Sequence, residues 1–332
     1  MLRPPGVAVA VAVCVFVALS VAVVVLRPQP IDSEVLTGGA VRVPENVYLG
    51  AYNSPDAAGK VSVPQNAPAR DALGRELAID GHYHEFLGVF PSEGERADAK
   101  LGQIPMISWQ PTGIKLADIS AGRYDNVIRH RADDLKKFAR PVFLRFAHEM
   151  NGDWTSWSPA APEGKALGNS VEDFVAAWRH LHQLFAEEGA TNVAWVWCPN
   201  AVDYPSGNTA MQYYPGDDYV DWVGVDAYNF GVGPGSKWLT FSNLLDPIYK
   251  KLPNNKPVVL AEFGSAEVGG SKAVWTDDMA ARLQQDYRRV RAVVFFDKTY
   301  EQADFRINSS PPALAAARKM ANEPYFSAMP PE

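Results

Sequence analysis

The chain has 332 residues, 47% apolar and 11% aromatic, which is enough to bury a substantial core and too apolar for intrinsic disorder. Lysine and arginine number 31 against 38 aspartates and glutamates, a net of −7 without a basic patch, so no nucleic-acid partner is expected. Two cysteines, Cys14 and Cys198, are too few for a zinc cage or a disulfide framework.

The amino terminus stands apart. Residues Gly6 to Leu26 are 21 uncharged positions, ten of them valine. That matches the roughly 20 residues a helix needs to cross a bilayer. Two readings fit: an uncleaved membrane anchor, or an export signal cut after the small-x-small run Ser20-Val21-Ala22. Either one puts the rest of the chain outside the cytoplasm, secreted or held at the membrane. Residues 1–27 are assigned to this segment, 28–44 to a short tether and 45–332 to one domain.

Within that domain, short apolar runs rich in β-branched and aromatic residues recur about every 35 residues. They lie at Val47–Tyr52, Glu85–Phe90, Pro105–Trp109, Val142–His148, Val193–Cys198, Trp222–Tyr228, Val258–Phe263 and Ala292–Asp297. Continuous apolar runs of this length are expected of parallel strands covered on both faces. Helical patterns fill the gaps. One opens at Ser170, an N-cap with Asp173 three residues on, carries Phe174, Trp178, Leu181 and Phe185 on one face, and stops at Gly189. Another starts near Thr276 with Met279, Leu283 and Tyr287 on one side. Eight strands alternating with helices predict a (β/α)8 barrel, an α/β fold. A doubly wound open sheet is the second choice, but no glycine-rich phosphate loop follows the first strand.

Chemistry in such a barrel sits at the carboxyl ends of the strands. The fourth strand ends in Arg145-Phe146-Ala147-His148-Glu149-Met150-Asn151-Gly152, the seventh in Leu260-Ala261-Glu262-Phe263-Gly264. Each puts a carboxylate directly after an apolar run. Two carboxyls at one mouth can divide into an acid and a nucleophile, as glycoside hydrolysis requires. The plainer alternative is a salt bridge from each glutamate to an arginine at the barrel lip. Arg145 lies four residues before Glu149, hence on the same strand face if alternation holds.

The run His148-Glu149-Met150-Asn151-Gly152 with Trp154 and Trp157, then Trp222-Val223-Gly224-Val225-Asp226-Ala227-Tyr228, then Ala261-Glu262-Phe263-Gly264, resembles glycoside hydrolase family 26. That family is mostly β-mannanases, with lichenases and β-1,3-xylanases among its activities. The resemblance implies a retaining double displacement, with Glu149 as acid/base and Glu262 as nucleophile. It also implies that Tyr228 orients Glu262, and that His148, His84 and Trp109 contact sugar. Trp154 and Trp157, on the loop after strand four, are expected to stack on sugar rings, although Trp157 could instead pack beneath its own loop. Strand eight departs from the family, ending Val294-Phe295-Phe296-Asp297-Lys298 where its mannanases carry tryptophan. Phe296 is the candidate to stack in its place.

The expected activity is an endo-β-glycosidase on mannan-type polysaccharide, with mixed-linkage β-glucan or xylan as alternatives. No cofactor and no metal is called for, because two carboxylates suffice, and a monomer is expected. A metallohydrolase built on His82-x-His84 is the first rival, weakened because His130, His180 and His182 fall on helices. A surface protein that binds polysaccharide without cleaving it is the second.

Overall fold

A computed structural model describes residues 36–53, 63–233, 235–300 and 303–331. The expected anchor or signal segment and the first part of the tether lie outside the described residues. No helix among the described residues is long and apolar enough to cross a membrane.

Eight parallel strands close into a barrel: β1 (Tyr48–Asn53), β2 (Ile79–Glu85), β3 (Ile104–Gln110), β4 (Val142–Phe146), β5 (Val193–Trp197), β6 (Trp222–Asn229), β7 (Val258–Ser265) and β8 (Val290–Asp297). Closure is made by β1 and β8, which pair from Tyr48 with Ala292 through Asn53 with Asp297. Between them run α1 (Ala67–Leu73), α2 (Glu93–Lys100), α3 (Leu116–Ser120), α4 (Asp125–Phe138), α5 (Pro162–Leu167), α6 (Val171–Glu188), α7 (Phe241–Tyr249) and α8 (Lys272–Gln285), and α9 (Pro311–Ala321) follows β8. This is the (β/α)8 architecture expected from the spacing of the apolar runs.

Alternation along each strand separates two cores. Inward residues fill the lower lumen, where Tyr48, Ile79, Ile104, Met106, Phe143, Val196, Trp222, Val259 and Val294 pack together. Outward residues meet the helices. Trp109, Phe146 and Trp195 face α6, where Phe185 and Trp178 lie within about 6 Å of them. The α6 signals work as their chemistry requires. The Ser170 side chain accepts from Asp173 N while Asp173 reaches back to Ser170 N, and Gly189 ends the helix at φ 74°.

Three expectations need correction. Residues 36–44, expected in the tether, close the lower end of the barrel: Val41 is buried in the lumen cluster, and Trp222 Nε1 donates to Gly38 O at 2.9 Å. The helix expected near Thr276 begins at Lys272, capped by Ser271, and ends before Tyr287.

The second strand is Ile79–Glu85 rather than Glu85–Phe90. Its outward face is polar, so it does not read as an apolar run, yet that face is dry. His82 Nε2 meets Asp98 Oδ2 at 2.6 Å and His84 Nε2 meets Glu95, both acids being on α2. Asp80, His82, Glu95 and Asp98 are fully buried. The apolar run after it forms a turn that buries Phe86 and Phe90 against Trp109 and exposes Leu87 and Val89.

Burial opposes a charge on His82, but the Asp98 hydrogen bond and the charges of Asp80 and Glu95 outweigh it and raise its pKa to about 9. Burial likewise works against ionised Glu95, and His84 and His82 bring it down to about 2. These pairs latch β2 to α2. Removing one partner of a buried pair typically costs about 3–5 kcal/mol, so His82→Ala is expected to lose that much in urea unfolding at pH 7. A loss below ~1 kcal/mol would mean that the pair is not what holds the helix. Because His82 is raised in the folded state, its contribution is complete below the unfolded value of 6.5 and lost as pH rises through 9. Wild type should therefore lose stability between pH 7 and 10 more steeply than the variant.

Candidate active site

The mouth of the barrel is organised by the ends of β4, β6 and β7. β4 stops at Phe146, and Ala147 and Glu149 take left-handed backbone conformations at φ 46° and 56°. Such angles are uncommon without glycine and are held by their surroundings. Here Ala147 N donates to Trp109 O at 3.0 Å and Glu149 N to Cys198 O at 2.8 Å, which ties the turn to both neighbouring strands. Strict alternation is thereby broken, and His148 enters the lumen with its ring 5.9 Å from that of Tyr83. β7 uses a bulge instead. Val225 pairs with Leu260 but Asp226 with Glu262, so Ala261 is the extra residue, and Glu262 shares the inward face with Asp226.

One buried cation holds this arrangement. Arg145 Nη1 binds both oxygens of Asp226 at 2.8 Å, its Nε and Nη2 donate to Ser108 Oγ at 3.0 and 2.7 Å, and Nη2 also pairs with Glu262 Oε1. Cys198, a buried thiol, donates to Asp226 Oδ1 at 3.2 Å. Tyr83 and Tyr228 donate to Glu262 Oε1 and Oε2 respectively. Glu149 is set differently. Its Oε1 accepts from Asn200 Nδ2 at 2.7 Å and its Oε2 from Trp154 Nε1 at 2.6 Å.

The two carboxyls are driven apart electrostatically. Burial, joined by repulsion from Glu262, raises Glu149 to about 7 against the weaker pull of Asn200 and Trp154. Burial also works to raise Glu262, but the Arg145 charge and the two tyrosine hydroxyls outweigh it and hold that carboxyl below its ordinary value. Burial and Arg145 together depress His148 to about 3, so its imidazole is neutral near pH 7. His148, Asp226 and Glu262 offer ligand atoms within 4.8 Å of one another, as do Asp80, His82 and Asp98 outside the barrel. A cation at the first group would meet the guanidinium already bound to both carboxylates, and at the second a charged His82.

The family model for Glycosyl hydrolase family 26 matches residues 111–265. Endoglucanase H of Acetivibrio thermocellus is 37% identical over 283 residues, 82% of this chain and 31% of that protein. Residues 111–265 thus carry the pattern of glycosyl hydrolase family 26. The mannan endo-1,4-beta-mannosidase A and B of Caldalkalibacillus mannanilyticus is 30% identical over 167 residues, 50% of this chain and 30% of that protein. The chain thus spans about a third of the length of these relatives. The catalytic domain of a Bacillus sp. endo-beta-1,4-mannanase shares the fold at a TM-score of 0.62 and 20% identity, covering 86% of this chain and 87% of that one.

Of the residues singled out in the sequence, Arg145, His148, Glu149, Trp154, Tyr228 and Glu262 meet at the mouth. Phe296 joins them, stacked on Tyr52 at 5.4 Å and edge-on to Tyr228 at 5.3 Å. Three do not present themselves to the mouth. Trp109 is an outward residue of β3, fully buried against Phe86, with its Nε1 donating to Phe86 O. His84 faces outward and is bound to Glu95. Trp157 is buried under its own loop, 5.6 Å from the His148 ring, with Nε1 donating to His148 O at 2.7 Å. Trp154, by contrast, is 49% exposed. The pair His82-x-His84, weighed above as metal ligands, faces the helix layer.

Sequence reasoning missed Tyr52, Tyr83, Asn200 and a role for Asp226. Asp226 lies two residues before Tyr228 on one strand, so shared facing was available as a signal. Asn200 follows the end of β5, where mouth residues belong. Tyr83 was hidden by the shifted second strand.

Carbon NMR titration of labelled glutamate carboxyls is expected to find Glu149 changing near pH 7. Asn200→Ala, which deletes a donor to its charged form, should move that midpoint upward. A midpoint in the ordinary range near 4.5 would show that the site does not favour the protonated acid.

Proposed function

We propose that this chain is a retaining endo-β-glycosidase that hydrolyses mannan-type polysaccharide with Glu149 as acid/base and Glu262 as nucleophile. The observation that carries the reading is the pair of carboxyls at one mouth, one favouring its proton near pH 7 and the other held ionised. A general acid works best with a pKa near the working pH, and a carboxylate nucleophile must be charged.

In the first step Glu149 gives its proton to the glycosidic oxygen as Glu262 bonds to the anomeric carbon. In the second, Glu149 takes a proton from water, which displaces Glu262. Neutral His148, whose ring enters the lumen beside Tyr83, can hydrogen-bond a sugar hydroxyl. The exposed face of Trp154 can stack on a ring beside the acid, and the wall of Tyr52, Phe296 and Tyr228 can stack beside the nucleophile. The family 26 pattern, and mannan endo-1,4-beta-mannosidases among the relatives, support mannan as the substrate class.

A β-glucan reading is favoured by one specific observation. The similarity to an endoglucanase, 37% over 82% of the chain, is stronger than that to the mannosidase, at 30% over 50%. Phe296 in place of the tryptophan of the family's mannanases agrees with it. On either reading the hydrophobic stretch 6–26 would deliver the barrel domain outside the cytoplasm, where its polymer is. We expect the domain to act as a monomer and without a cofactor.

Reducing-sugar release from mannan, glucomannan, mixed-linkage glucan and xylan tests both readings. Release is expected from one class, with Glu262→Ala inactive yet folded by circular dichroism and Glu149→Ala slowed roughly 10²- to 10⁴-fold. The pH profile of kcat/KM should fall as pH rises through about 7, where Glu149 loses its proton, and again at low pH as Glu262 gains one. Silence on every polymer, with oligosaccharide still bound, would make the protein a polysaccharide receptor. Unfolding of Glu262→Ala would return that residue to a structural role.

A further inference from the structure

The two oxygens of Glu262 are not equivalent. Among the described residues, Oε2 accepts from the Tyr228 hydroxyl, whereas Oε1 accepts from both the Arg145 guanidinium and the Tyr83 hydroxyl. Tyr83 is fixed where it stands. Its ring is edge-on to Tyr52 at 4.5 Å, the Arg145 guanidinium lies 5.6 Å from its centre, and its oxygen accepts from Arg145 Nη2 at 3.2 Å. Burial and the Glu262 charge push its phenol well up, so it stays a donor.

An oxygen that already receives a guanidinium and a phenol has its lone pairs engaged and its approach crowded. The other receives one hydroxyl, which can rotate away. We propose that Glu262 attacks through Oε2, and that Tyr83 is a positioning residue which, with Arg145, holds Oε1 through both steps as the carbonyl oxygen of the glycosyl ester. The inference rests on the double-displacement reading above.

The electron balance gives Tyr83 an asymmetric effect. In the first step the bond from the anomeric carbon to the leaving oxygen breaks, its pair goes to that oxygen with the proton of Glu149, and an Oε2 lone pair forms the ester. Charge leaves the carboxylate, so the Tyr83 bond weakens. In the second step water adds, Glu149 takes its proton, the bond to Oε2 breaks and its pair returns to the carboxylate, shared with Oε1. Charge grows, so the Tyr83 bond strengthens. Loss of the phenol should therefore slow breakdown of the ester more than its formation, because a more basic carboxylate is the better nucleophile.

The test uses the whole protein and a dinitrophenyl fluorosugar glycoside of the class that the polymer panel identifies. It has two readouts: the crystal structure of trapped wild type, and the rate at which trapped wild type and Tyr83→Phe regain activity. The sugar is expected on the oxygen facing Tyr228, with Arg145 and Tyr83 on the carbonyl oxygen. Reactivation of Tyr83→Phe should be about 10- to 100-fold slower, the factor expected for one hydrogen bond to a charged group. The acid limb of trapping should also move up in pH, since the phenol lowers the Glu262 pKa.

Wild type that never acquires sugar on Glu262 overturns the double-displacement reading, and this proposal with it. Sugar on the oxygen facing Arg145 and Tyr83 overturns the proposal alone. Equal reactivation rates in the two proteins overturn the role of Tyr83. Should Tyr83→Phe fail to fold, the trapped wild-type structure still decides which oxygen attacks.

Discussion

Everything at the mouth depends on one fully buried guanidinium. Two acids, Asp226 and Glu262, are buried in the lumen, where an ionised carboxylate alone would carry a desolvation penalty of several kcal/mol. Arg145 opposes that penalty at both: at Glu262 it helps to outweigh burial, while at Asp226 burial still pushes the carboxyl well above its ordinary value. Its planar fork has enough donors to bind Asp226 through two oxygens, Ser108 through two nitrogens and Glu262 through one, a set that a lysine could not reproduce. In doing so it ties β3, β4, β6 and β7 together at the level where chemistry is placed. Burial and the same charge together keep His148 neutral.

Arg145 acts unequally on the two glutamates. It is the main charge opposing burial at Glu262, and the smallest of the main influences on Glu149, whose carboxyl accepts from an asparagine and a tryptophan. That inequality comes from the backbone. The bulge at Ala261 turns Glu262 inward beside Asp226, within reach of the guanidinium. Left-handed angles at Ala147 and Glu149 lift the other carboxyl past the end of β4 toward Asn200. Departures from regular geometry therefore push the pKa values of two chemically identical groups in opposite directions, the condition for dividing acid and base roles between them.

The sequence disclosed the parts whose physics is local. Seven strands read from their apolar runs because both faces of each are dry, and α6 from a capping box and a terminal glycine. The two glutamates read from a charge set directly after such a run. What escaped depends on partners distant in the chain. The outward face of β2 is polar but buried against acids on α2, which no local pattern signals, so the strand was misplaced by six residues. Trp109 and Trp157 carry indole N–H groups satisfied by backbone carbonyls of Phe86 and His148. An aromatic at a strand end therefore read as a platform when it is core. The bulge and the left-handed turn, which aim the acids, leave no mark in residue type at all.

The misplaced strand also explains why the wrong residue of β2 was credited with a role at the mouth. In His82-Tyr83-His84 the pleat sends the histidines one way and the tyrosine the other. The outward pair carries stability by gripping α2, and the inward residue touches Glu262. Because the two tasks fall on alternate positions of one strand, the histidine latch can sit in the helix layer while the lumen keeps room for a phenol. Gly81 makes that room: a Cβ there would stand 3.0 Å from Tyr52 Cβ, so a side chain would crowd the ring on which Tyr83 rests. The spacing glycine-x-tyrosine on an otherwise polar strand thus accommodates a donor against the carboxylate of β7, three strands round the barrel from β2.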